Sequence, residues 1–127
     1  MKTIIAGSRD FADYNLLKQN LDSYRLKHTI TQIVSGGAKG ADSLGERYSD
    51  EEGIDLVIFR ADWDTHGRAA GPIRNRKMAE YADALIVVWN GTSKGTKNMI
   101  EEMHKQGKPV HIILYGSEIV AQNIENL

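Results

Sequence analysis

Short apolar runs alternate with amphipathic stretches along nearly the whole chain, and this alternation restricts the fold more than any other feature. The runs are Thr3 to Ala6, Ile30 to Val34, Ile54 to Phe59, Ala84 to Trp89 and Val110 to Leu114. Between the first two, Leu17, Leu21 and Tyr24 repeat at helical spacing, which predicts a helix over about 14–27. Ala41, Leu44, Gly45 and Tyr48 predict a second over about 40–52, ended by Gly53. A third starts near Pro72 and turns Ile73, Met78 and Ala82 inward, and a fourth carries Met99, Ile100 and Met103 up to Gly107. Residues 60–71 read as a long irregular stretch, and a short helix from about 118 is expected to finish the chain. Five strands separated by helices need crossover connections. The expected fold is therefore α/β, a Rossmann-like three-layer sandwich with a mainly parallel sheet of about five strands. At 127 residues, one domain over 1–127 is expected.

Ligands of such sheets bind outside the carboxyl ends of the strands. Of the twelve glycines, nine fall in segments that lead from a strand to a helix, so they gather on that edge. Two of these segments look alike. Ser35-Gly36-Gly37-Ala38-Lys39-Gly40-Ala41-Asp42 follows the second strand, and Gly91-Thr92-Ser93-Lys94-Gly95-Thr96 follows the fourth. Glycines let the main chain approach an anion, and the first N–H groups of the next helix point at it. Lys39 adds a point charge, while Thr92, Ser93 and Thr96 add hydroxyls. Asp42 either caps its helix or accepts a ribose hydroxyl. Neither loop has the GK[ST] ending of a Walker A motif or a GxGxxG fingerprint.

Charge agrees with a small anionic ligand. The chain carries a net −1, but between residues 60 and 77 five cations (Arg60, Arg68, Arg74, Arg76, Lys77) face two carboxylates (Asp62, Asp64). Arg9 and Arg74 are the expected phosphate partners, because a guanidinium fork matches phosphate oxygens. Arg68 and Arg76 read equally well as solvated surface. Asp62 and Trp63 allow an indole to stack on a base beside a carboxylate that reads its edge; the alternative is a core-covering Trp63 and a turn-capping Asp62. His28, His66, His104 and His111 show no metal-ligand spacing, and there is no cysteine, so neither a metal site nor a cofactor is expected. The acidic remainder of the chain makes nucleic acid an unlikely partner. No apolar run could span a bilayer or serve as a signal peptide, so a cytoplasmic location is expected.

Taken in order, Ala6-Gly7-Ser8-Arg9-Asp10-Phe11, the Ser35–Asp42 loop, Ala61-Asp62-Trp63, Gly67 to Met78 and Ala82 to Ile86 with the Gly91–Thr96 loop resemble the YspA-like branch of the SLOG superfamily. That superfamily joins the DNA-processing protein DprA with the LOG phosphoribohydrolases. The resemblance covers about residues 3–114 and implies a nucleotide-ligand pocket and a homo-oligomer, dimer or larger. Together with the reading of the loops and charges above, it puts Gly7, Ser8, Arg9, Ser35, Gly36, Gly37, Lys39, Gly40, Asp42, Asp62, Trp63, Arg74, Asn75, Gly91, Thr92, Ser93, Gly95 and Thr96 in the expected ligand set. Arg74 falls at the LOG arginine and is the one candidate for a catalytic role, and Gly95-Thr96 match the GT of the LOG loop. The LOG catalytic glutamate position is Met99, and a thioether can neither move a proton nor stabilise an oxocarbenium-like centre. The reading is therefore a binder of a nucleotide or nucleotide-derived small molecule, of sensor or scavenger type. A nucleoside 5'-monophosphate N-glycosidase and a single-stranded-DNA binder are the alternatives.

Overall fold

The computed structural model describes residues 1–116 and, as backbone, 119–124. Strand β1 (Lys2–Gly7) lies between β2 (Gln32–Ser35) and β4 (Ala84–Trp89), parallel to both. Strands β3 (Asp55–Ile58) and β5 (Val110–Gly116) extend the sheet, also in parallel. The five parallel strands thus run in the order β3-β2-β1-β4-β5, a Rossmann-like arrangement, with β6 (Ile119–Ile124) antiparallel on the β5 side.

Period-two alternation along the strands builds two cores. Ile4, Val34, Leu85, Val87 and Ile112 face one way and bury Met78 of helix α4 (Ala70–Tyr81) and Met99 and Met103 of α5 (Lys94–Lys105). Ile5, Ile33, Ile86, Val88 and Ile113 face the other way, onto Leu17 and Leu21 of α1 (Tyr14–Tyr24) and Tyr48 of α2 (Ala41–Glu52). Burying each such aliphatic side chain contributes about 1.5–3 kcal/mol. Helix α1 starts where Asp13 accepts the Leu16 amide at 3.1 Å, and it ends at Tyr24 rather than near 27, where the bonding tightens to a turn: Leu26 N donates to the Ser23 carbonyl and Lys27 N to the Tyr24 carbonyl, both at 3.2 Å.

Two further expectations differ from the structure. The stretch 60–71 is not irregular: α3 (Trp63–His66) and a 3-10 turn over Gly67–Ala69 lead directly into α4. Asp62 nucleates α3 by accepting the Thr65 amide at 3.1 Å; none of its residues is buried, so no apolar period announces it. The helix expected from about 118 is instead strand β6 over 119–124, while residue 118 itself lies outside the described residues. Ile119, Val120 and Ile124 are β-branched, and the edge of β5 offers them a ladder, with Ile112 opposite Ile124 and Leu114 opposite Gln122.

Candidate functional site

The carboxyl ends of β1, β2 and β4 meet the starts of α2, α4 and α5 around a pocket of about 570 Å³. Its centre is Arg74, one turn into α4. The guanidinium donates to the Gly36 carbonyl at 2.6 Å through Nη1 and to Asn75 Oδ1 at 3.0 Å through Nε. Gly36 is a glycine because a Cβ there would stand 2.7 Å from Arg74 Nη1 and 2.8 Å from Asp42 Oδ2. Burial pulls the Arg74 pKa below its usual value; Asp42 opposes this, and the neighbouring positive charge of Arg9 adds to it. Asp42, in the first turn of α2, is 5% exposed and accepts the Ala38 amide at 3.2 Å. Burial pushes its carboxyl upward, against the Ala38 and Gly36 amides and the charge of Arg74, while Glu46 adds to the rise.

The first glycine-rich loop is held mainly by its own chain. Ser35 Oγ donates to Glu46 at 2.7 Å and accepts the Gly37 amide at 3.1 Å. A Cβ on Gly40 would lie 2.4 Å from the Ser8 carbonyl oxygen, and the Ala41 amide donates to that same oxygen at 3.2 Å. Glycine at 40 therefore lets the β1 and β2 loops touch backbone to backbone.

The second loop is organised differently. Asn90 Oδ1 accepts the Thr92 and Ser93 amides, both at 2.9 Å. Ser93 caps α5, its Oγ accepting from Thr96 N at 3.4 Å and Thr96 Oγ1 at 3.1 Å. Asn75 ties α4 to α5 by donating to Asn98 Oδ1 at 2.9 Å and to the Gly95 carbonyl at 3.4 Å. Gly95 lies on the pocket wall with no atom within 4 Å of where a Cβ would sit and no positive φ, so neither packing nor backbone conformation demands glycine there.

Of the residues singled out from the sequence, Gly7, Ser8, Arg9, Asp42, Trp63, Arg74, Asn75, Ser93, Gly95 and Thr96 line the pocket together. Trp63, 51% exposed, stands against the first turn of α4, 3.5 Å from where a Gly71 Cβ would be. Ser35, Gly36, Gly37, Lys39, Gly40, Asp62, Gly91 and Thr92 do not line it. Ser35, Gly36 and Gly40 hold the loop, Asp62 caps α3, and Lys39, Gly91 and Thr92 are exposed. Sequence reasoning missed Asn90, Lys94 and Asn98 as lining residues, and left Asp10 and Met99 out of the ligand set. Asn90 directly after the fourth strand was a readable signal, since an Asx turn caps the loop that follows. Asn98 was not readable, because its place depends on α4 meeting α5.

The apolar floor is Ala6, Met78 and Met99, the last two nearly fully buried. Neither glutamate that follows Met99 lines the pocket: Glu101 is exposed, and Glu102 is buried with Arg76 at 3.5 Å and Lys105 at 3.6 Å. The lining carboxylates are Asp10 and Asp42. No group of three or more histidines or carboxylates is placed to hold a metal among the described residues.

The parallel sheet, with its switch in strand order beside β1 and a pocket at its carboxyl edge, defines a Rossmann-like domain. Residues 1–66 match the model of the YAcAr family, described as YspA, cpYpsA-related SLOG, and the chain belongs to that family. It is 33% identical over 117 residues to the gene 61 protein of Mycobacterium phage D29, covering 86% of this chain and 93% of that protein. In fold it is similar to the DNA processing protein A (DprA) of Streptococcus pneumoniae, with a TM-score of 0.70 over 93% of this chain at 20% identity. The matched part spans 51% of that protein. No helix among the described residues is long and apolar enough to cross a membrane.

Proposed function

We propose that this chain binds a phosphate-bearing nucleotide or nucleotide-derived small molecule at the carboxyl edge of the sheet, as a sensor or scavenger, and does not cleave it. The observation that carries this reading is that two guanidiniums, Arg74 and Arg9, line one pocket, with Arg74 held on the Gly36 carbonyl at 2.6 Å; burial, and after it the charge of Arg9, lower the Arg74 pKa. Two such charges side by side repel each other, and an anion between them relieves the repulsion. Supporting it are the amide end of α5 at the bare Gly95, a half-exposed indole at the mouth and a volume in the range of nucleotide pockets.

Binding without cleavage is favoured by the floor. Met99 stands where hydrolysing relatives would need a carboxylate, and Asp42 is already occupied by loop amides. A DNA-binding reading draws only on a likeness of fold to DNA processing protein A. Calorimetric titration with nucleoside mono- and diphosphates, adenosine and inorganic phosphate tests the proposal. Phosphorylated ligands should bind, and Arg74→Ala should weaken them at least tenfold with the circular dichroism unchanged. Equal affinity in Arg74→Ala would reject the site. Chromatographic release of free base would reinstate N-glycoside hydrolysis.

A further inference from the structure

Asp10 is the lining carboxylate that the loops do not consume. It is exposed at the pocket, next in sequence to Arg9, and one of its oxygens accepts a hydrogen bond from the Tyr115 hydroxyl at 2.5 Å. Tyr115 ends β5, and its ring packs edge-on against Phe11, whose side chain is buried, with centroids 4.8 Å apart. The phenol is pushed up to about 12 by burial, reinforced by Asp10, so it stays a donor across the neutral range. Asp10 is therefore an oriented acceptor whose other oxygen remains for a ligand. The other polar groups that line the pocket are chiefly donors and cations, Arg9, Arg74, Lys94, Asn98 and the amide end of α5, and the second carboxylate, Asp42, is taken up by a loop amide.

An acceptor-only group in such a pocket selects a ligand that brings hydrogen-bond donors to that spot. A nucleotide has two kinds, sugar hydroxyls and exocyclic amines of the base. Asp10 and Arg9 line the same pocket, so a ligand whose phosphate meets Arg9 presents its sugar within that pocket as well. The indole that suits a base stands against the first turn of α4, whereas Asp10 is tied to Tyr115 of β5. The carboxylate oxygen that Tyr115 leaves open can accept an O–H of the sugar diol.

We infer that Asp10, oriented by Tyr115, is a specificity-determining residue that accepts the sugar hydroxyls of the bound ligand, so that the pocket prefers a ribonucleotide to its 2'-deoxy counterpart. The inference rests on the nucleotide-binding reading above. The probes are the four common ribonucleoside 5'-monophosphates and their 2'-deoxy forms, titrated calorimetrically into the wild type, Asp10→Ala, Tyr115→Phe and Arg74→Ala. The wild type should bind the ribo form about tenfold or more tightly. Asp10→Ala should bring that ratio near one without weakening the deoxy form, since removing a negative charge beside a phosphate does not penalise the phosphate. Tyr115→Phe should reduce the ratio partway. Melting curves verify that each variant is folded, which an exposed position such as 10 favours. Arg74-dependent binding whose ribo-to-deoxy ratio is the same in the wild type and Asp10→Ala overturns this inference alone. Absence of Arg74-dependent binding of any nucleotide overturns the pocket reading, and this inference with it.

Discussion

Replacing Gly95 with alanine separates what the protein needs from what a ligand needs. Gly95 is the second residue of α5, is exposed, has no positive φ, and would meet nothing within 4 Å with a Cβ added. In the protein alone the exchange should therefore stabilise, by about 0.4–1 kcal/mol, because alanine loses less backbone freedom on folding. With an unfolding entropy of about 2.1 cal/mol/K per residue, this chain of 127 residues gains roughly 1.5–4 °C in Tm. Binding should move the opposite way. A helix Cβ tilts toward the helix N-terminus, so the new methyl would project into the space where an anion meets the first amides of α5. Losing one charge-assisted hydrogen bond costs about 1.5–3 kcal/mol, or roughly 10- to 150-fold in Kd. Differential scanning fluorimetry of the unliganded protein and calorimetry with a phosphorylated nucleotide give the two readouts. A Gly95→Ala protein that melts higher and binds equally well would refute the reasoning, since glycine would then be serving neither packing nor ligand.

Two further outcomes concern the body of the fold. Thr3 is fully buried in β1, and its hydroxyl is the buried side-chain polar atom without a hydrogen-bond partner among the described residues, so the near-isosteric Thr3→Val should raise stability by about 1 kcal/mol in denaturant titration. The Tyr48 phenol is pushed up to about 12, first by burial, with Asp22 raising it further and Arg25 opposing. The folded chain thus holds that proton more tightly than the unfolded chain does, so stability should fall as pH rises from about 10 to about 12, and chemical denaturation across that window should show a shallower fall in Tyr48→Phe.

How much of this was legible in the sequence depends on the range of the interaction. The strands and their order of appearance follow from short continuous apolar runs, which are local and which β1 and β4 show because both their faces are buried. Helix α3 escaped because it is one capped turn with no buried face. Strand β6 was misread because a short edge strand takes its partner from β5, about ten residues back, and no apolar alternation of its own reveals that pairing. Arg9, Arg74, Ser93, Gly95 and Thr96, which line the pocket, could be singled out because charged, capping and glycine residues are visible singly. The Tyr115–Asp10 bond spans 105 positions, so nothing in either residue's surroundings in the chain could announce it.

The glycines show why a motif alone is an uncertain guide to a ligand. Read as a string, the Ser35–Asp42 loop is the richer of the two and the more convincing cradle. In three dimensions its Gly36 makes room for Arg74 and Asp42, and its Gly40 makes room for the backbone at Ser8 and Arg9. Gly40, at φ +74° and against backbone, is required whether or not a phosphate ever arrives, and Gly36 is explained by the two side chains that fill its space, so neither by itself points to a phosphate. What they do accomplish is indirect: by admitting the guanidinium to 2.6 Å of the Gly36 carbonyl, the loop fixes a charge at the centre of the pocket. The sparser second loop has the glycine without a structural reason. A glycine that the fold does not require, at a helix start on a pocket wall, is stronger evidence of a ligand's approach than several that the fold cannot do without.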